Sequence, residues 1–113
     1  MICNSGKGTI EKRDNMRGGE GTVSIEHFFD KLPSGCRLAS ILNLPKGTSI
    51  GEHEHSHESE MFYVLSGAAL YNDNGVTAML TQGDCALISN ARHSIEGISD
   101  EPCRVLAVII NEK

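Results

Sequence analysis

From Thr22 onward, short runs of β-branched, aromatic and aliphatic residues alternate with turn-forming residues. Thr22 to Phe29 reads as a first strand, closed by Pro33-Ser34-Gly35. Cys36 to Leu44 reads as a second, with Leu38, Leu42 and Leu44 on one face. Leu44-Pro45-Lys46-Gly47 supplies a turn, since proline presets φ and glycine permits a positive one. Ile50 to His55 is short and extended, Ser56 to Ser59 is expected to be a polar connection, and Met61 to Leu65 is a strongly apolar strand. Asn72-Asp73-Asn74-Gly75 is a hairpin signal between Ala68–Tyr71 and Val76–Leu80. Cys85 to Ile88, His93 to Ile98 and Cys103 to Ile110 complete the set. No segment holds a 3.6-residue period over three turns. Strands this short, with turn signals about every eight to twelve residues, predict an all-β sandwich or barrel.

Residues 1–21 break this pattern. They are polar and glycine-rich, end in Gly18-Gly19-Glu20-Gly21, and are expected to form an N-terminal arm to a single barrel domain spanning 22–113. A chain of 113 residues buries roughly 65% of its unfolded surface, enough for one core without staples. The net charge is -5 and the basic residues form no stripe or patch, which argues against nucleic acid and against an anionic membrane surface as partner. No run approaches the roughly 20 apolar residues of a membrane span, and the N-terminus lacks the apolar core of a signal peptide. The expected location is therefore the cytoplasm. There the four cysteines, none in a Cys-x-x-Cys pair, stay reduced. Cys36, Cys85 and Cys103 are expected to be small buried hydrophobes in strands.

Chemistry concentrates in Gly51-Glu52-His53-Glu54-His55-Ser56-His57-Glu58-Ser59-Glu60. Residues two apart on a strand point to the same face with Cα atoms about 7 Å apart, so His53 and His55 can present two imidazoles to one point. Glu60, leading the apolar strand, can add a carboxylate. A fourth ligand has to come from another strand, and His93 is the natural candidate. Imidazole with carboxylate suits a divalent transition metal ion, Mn, Fe, Ni or Zn being the expected choices. His57 falls outside this spacing and reads as a rim residue. Glu52, Glu54 and Glu58 are expected to lie outward, and His27, beside Phe28 and Phe29, to serve packing or an interface.

The spacing Gly47, His53, His55, Glu60, Gly67 resembles the first motif of the cupins at every fixed position. Gly83-Asp84 and His93 resemble the second motif, with Ser89 and Ala91 in place of its usual proline and glycine and Gly97 where asparagine is common. The resemblance covers about residues 36–110 and is nearest to small single-domain proteins described as oxalate decarboxylase-like. It implies a double-stranded β-helix, or jelly-roll barrel, with three histidines and a glutamate on a metal. It also implies a homodimer that partly exchanges N-terminal strands.

Four protein ligands on an ion that accepts six leave two positions for a chelating small molecule. The first expectation is metal-assisted decarboxylase, isomerase, lyase or oxygenase chemistry on a small organic acid or sugar derivative. Glu96, His57, Tyr63 and Arg92 are conceivable proton-transfer groups, but none can be placed beside the metal from sequence, so the catalytic residues stay unknown. The alternative is a non-catalytic, metal-dependent binding module for a small anion or sugar, for which a pocket cation such as Arg37 or Arg104 would be the sign.

Overall fold

The computed structural model describes residues 1–112; Lys113, the last position of the expected barrel, lies outside the described residues. Among the described residues, eight strands follow one another: β1 (Thr9–Asp14), β2 (Thr22–His27), β3 (Cys36–Leu44), β4 (Ser49–Ser66), β5 (Ala68–Asp73), β6 (Val76–Thr81), β7 (Cys85–Gly97) and β8 (Cys103–Asn111). They pair antiparallel in the order β1-β2-β3-β8-β4-β7-β5-β6 and roll into a double-stranded β-helix. Among the described residues, no helix is long and apolar enough to cross a membrane.

Alternation builds the core. Val23 and Ile25, Leu42 and Leu44, Phe62 and Val64, and Val105 and Ala107 point inward from β2, β3, β4 and β8, and the intervening residues face out. Asn74 and Gly75 both take positive φ (50° and 97°), so the β5–β6 hairpin turns on the two residues that tolerate it best.

Two expectations about strand length fail for one reason. Ser56–Ser59 is not a connection, because β4 runs unbroken for 18 residues. Likewise Cys85–Ile88 and His93–Ile98 belong to a single strand, β7. Each polar interruption is a bulge: His57 in β4 and Asn90 in β7 have φ of 61° and 49°, and the β4–β7 register shifts between His55 and Ser59. The bulges face each other, with His57 N–H donating to Asn90 Oδ1 at 2.9 Å. Polarity there marks a kink in paired strands, which hydrophobic patterning alone reads as an end.

The segment expected as an arm is built into the sheet edge. β1 pairs with β2 from Thr9↔His27 to Asp14↔Thr22, and a single 3-10 turn, Met16–Gly18, folds back on the start of β4. Of the cysteines, Cys103 is buried and Cys36 half-buried, but Cys85 is exposed. It lies outward on β7 beside Tyr63, so the expectation of burial fails for that residue.

Candidate metal centre

Parity explains how one strand delivers three of the four predicted ligands. In an uninterrupted strand, Glu60 would face away from His55, five residues earlier. The bulge at His57 inserts the extra step, so the inward row runs His53, His55, then Glu60, Phe62, Val64. His93 sits directly across from His53 in the β4–β7 register. His55, Glu60 and His93 are all buried and His53 is half-buried.

The four donor atoms lie within 4.8 Å of one another. His55 Nε2 is 3.1 Å from His53 Nε2, 3.0 Å from His93 Nε2 and 3.0 Å from Glu60 Oε1. His93 Nε2 is 3.1 Å from the same carboxylate oxygen. These are the adjacent-ligand separations of an octahedral ion, roughly 3.0 Å for bonds of about 2.1 Å.

The other face of each ring is held. His53 Nδ1 lies 2.7 Å from the carbonyl oxygen of Gly51, which can only accept, so Nδ1 carries the proton. His55 Nδ1 lies 2.7 Å from Glu58 Oε1. Arg37 grips that carboxylate with two hydrogen bonds of 2.9 and 2.7 Å and, with His55 adding to it against partial burial, holds Glu58 down to about 2. Glu58 therefore accepts too, and His55 Nδ1 donates. When neutral, His53 and His55 would turn bare Nε2 lone pairs toward each other and toward a carboxylate. That arrangement is repulsive unless a cation stands between them. His93 Nδ1 meets the Tyr71 hydroxyl at 2.7 Å, and its ring stacks on Phe62 at a centroid distance of 5.3 Å.

Charge at the centre follows from these contacts. Burial pushes His53 down, toward the neutral form that binds metal. The Glu60 carboxylate, outweighing burial, pushes His55 up. Burial works to raise Glu60, but hydrogen bonds from His55 and His93 prevail and hold its carboxyl below the usual range. Burial pushes the Tyr71 hydroxyl up, so it stays protonated.

His53, His55 and Glu60 open onto a cavity of about 230 Å³. Apolar wall comes from Leu38, Leu42, Ile50 and Phe62; Glu11, Arg13, Arg17, His27 and Arg37 add charge or titratable groups. The proton-transfer candidates read from sequence are elsewhere: His57, Tyr63, Arg92 and Glu96 are exposed and none lines this cavity. Arg92 pairs with Glu52 on the surface. Arg37 lines the cavity and Arg104 does not. Glu58, expected to lie outward, turns inward because the same bulge that realigns Glu60 swings it onto His55. Tyr71 carried no sequence signal, since its role depends on which strand neighbours β7. His27, expected to serve packing or an interface, lines the cavity and bonds Glu11 at 2.8 Å and Ser40 at 2.9 Å.

The family model described as a Cupin domain matches residues 40–109. An oxalate-binding protein of Thermotoga maritima is 38% identical over an alignment of 113 positions, covering 97% of this chain and 93% of that one. The crystal structure of a predicted oxalate decarboxylase from Thermotoga maritima superposes with a TM-score of 0.93 at 37% identity, covering 98% of this chain and 99% of that one. The cupin domain of Schizosaccharomyces pombe Cnp3, at 15% identity and a TM-score of 0.74 over 92% of this chain and 70% of that one, shares the fold.

Proposed function

This chain belongs to the cupin family, and from that premise we propose that His53, His55, Glu60 and His93 hold one divalent transition metal ion, Mn, Fe, Ni or Zn, on which a small organic acid chelates. The observation that carries this reading is the convergence of four donor atoms within 4.8 Å, two of them imidazole Nε2 atoms 3.1 Å apart, beside a buried carboxylate. Such an ion supplies Lewis-acid chemistry to a bound oxygen ligand. The chain's own part is to orient and enclose. Gly51, Glu58 and Tyr71 fix the three rings, while Leu38, Ile50 and Phe62 exclude water from one side of the cavity. The name of the Thermotoga relative supports oxalate as the first acid to test.

Elemental analysis of the tag-free protein beside a His53→Ala/His55→Ala variant tests the site. About one equivalent of metal per chain, lost in the variant, is the expected result. No retained metal after incubation with Mn, Fe, Ni and Zn would sink the reading.

Conversion of the acid is the second reading, favoured by the hydrogen-bonded Glu11–His27 pair on the cavity wall. Decarboxylation of the oxalate monoanion gives formate and carbon dioxide, and a proton must reach the new carbon centre. Glu11 or His27, both lining the cavity, would relay it. Formate release that disappears in Glu11→Gln, with oxalate binding retained, would establish the enzyme. Binding without formate would leave a binding module.

We place the protein in the cytoplasm, where its unpaired thiols stay reduced, and assign it a homodimer. The dimer surface is the outer face of β7, β4, β8 and β3. Leu87 faces Met61, Met61 faces Val108 and Val108 faces Ala39 in one row; Cys85, Tyr63, Leu106 and Ile41 form the next. Met61, Tyr63 and Leu87 are 44%, 42% and 65% exposed, and these two rows contain no charged residue. Four strands at about 4.8 Å spacing give an uncharged apolar strip of the kind found at the centre of a two-fold interface.

A further inference from the structure

We propose that Arg17 is the residue that recognises the second carboxylate of the bound acid, making the preferred ligand a small dicarboxylate; this deepens the metal-chelate reading and rests on it. The charges lining the cavity are nearly all committed. Arg37 is held by both oxygens of Glu58, Glu11 bonds His27 and stands 4.0 Å from Arg13, and Glu60 faces His55 and His93. Arg17 alone among the lining arginines has no carboxylate partner among the described residues, although the protein as a whole carries an excess of acid. An unpaired guanidinium on the wall shared with His53 is a fork for a planar oxyanion.

The chain keeps arginine there against its backbone preference. Arg17 has φ 55° and ψ 32°, in the left-handed region that non-glycine residues seldom occupy, and glycines follow directly at 18 and 19. The turn is clamped from several sides. Gly18 N–H donates to Asn15 O at 3.0 Å, Gly19 N–H to Met16 O at 3.0 Å, and Asn15 Nδ2 to Gly19 O at 3.1 Å. Met16 packs against the core. Ser49 N–H donates to Glu20 O and Glu20 N–H to Ser49 Oγ, both at 2.9 Å. Backbone meets backbone so closely that a Cβ on Gly51 would stand 2.2 Å from Arg17 O, and one on Gly19 2.2 Å from Ser49 O. The guanidinium is thus carried on a rigid base, and binding costs little further ordering of the backbone.

Oxalate and glycolate separate the claim from general attraction. Both chelate through a carboxylate oxygen and a neighbouring oxygen, and only oxalate brings a second negative charge. Calorimetric titration of the Mn²⁺-loaded protein is read together with its metal content, for the wild type, Arg17→Gln, Arg17→Gly and Lys12→Gln. Lys12 lies on the exposed β1 edge outside the cavity lining and controls for net charge. Loss of one charge-assisted contact should weaken oxalate about tenfold in both Arg17 variants. Glycolate should change less than twofold, and metal content and the Lys12→Gln affinities should stay at wild-type values. Arg17→Gly relieves the left-handed backbone, so its Tm should match or exceed the wild type while oxalate binding falls. Oxalate affinity unchanged in Arg17→Gln overturns the proposal, as does an equal loss for glycolate or in Lys12→Gln. Metal-loaded wild type that binds no oxalate overturns it too. A wild type that retains no metal overturns the underlying metal reading, and that failure is identified by the metal content alone.

Discussion

The Tyr71 hydroxyl lies 2.7 Å from His93 Nδ1, while Nε2 of the same ring points at His55 and Glu60. Tyr71 is 3% exposed and stays protonated, so it serves as a fixed anchor for the one histidine that comes from β7. Tyr71→Phe keeps the ring in the core and removes only the anchor. Metal affinity, measured by competition with a chromogenic chelator, should fall about 10- to 100-fold. An unchanged affinity would mean that packing against Phe62 alone orients His93.

Metal removal should be costly to stability. At a free ion concentration about 100 times Kd, binding to the folded state alone contributes about 2.7 kcal/mol. For a domain of this size that corresponds to a Tm fall of roughly 10 °C on adding EDTA. His55→Ala should melt at one temperature with or without the chelator, as judged by circular dichroism.

Cys103 gives the pH dependence a clear sign. Burial pushes its thiol up from 9.0 to about 11. Between those values the unfolded chain has released a proton that the folded chain keeps, so stability is intact below about pH 9 and drains away as pH rises toward 11. The loss should be about 2 kcal/mol by pH 11 and should be missing from the alkaline limb of Cys103→Ala in denaturant titrations. In the native protein at pH 8, a thiol reagent should label the half-buried Cys3 and Cys36 slowly and Cys103 only after denaturant is added.

Leu87→Lys puts a charge on the outer apolar face, at its most exposed large side chain. Sedimentation velocity should show a monomer for this variant and a dimer for the wild type. The metal content should be the same in both, because Leu87 points away from the centre. A wild-type monomer would assign that face to some other partner.

The relation of His53 and His55 was legible because strand geometry repeats every two residues, whatever the surroundings. The hairpin at Asn74-Gly75 was legible for an equally local reason. Legibility stopped where a contact is made across strands. Nothing local distinguishes Glu58 from Glu54, yet the bulge turns one onto His55 and leaves the other exposed. Polar Ser56–Ser59 and Ser89–Ala91 read as strand ends because a bulge and a terminus share composition. Tyr71 and Arg17 acquire their places only from which elements the barrel sets side by side. Cys85 was misread because an apolar face turned to solvent looks, residue by residue, like one turned inward.

The contact between Gly19 and Gly51 separates two kinds of inheritance. His53, His55, Glu60 and His93 lie in β4 and β7, whereas Arg17 rides on a turn seated on the barrel through glycine-to-glycine backbone contact. On the proposed reading, a descendant of this chain could exchange residues 15–21 and acquire a new taste in acids while the four converging ligands stay in place. It must keep both glycines to do so.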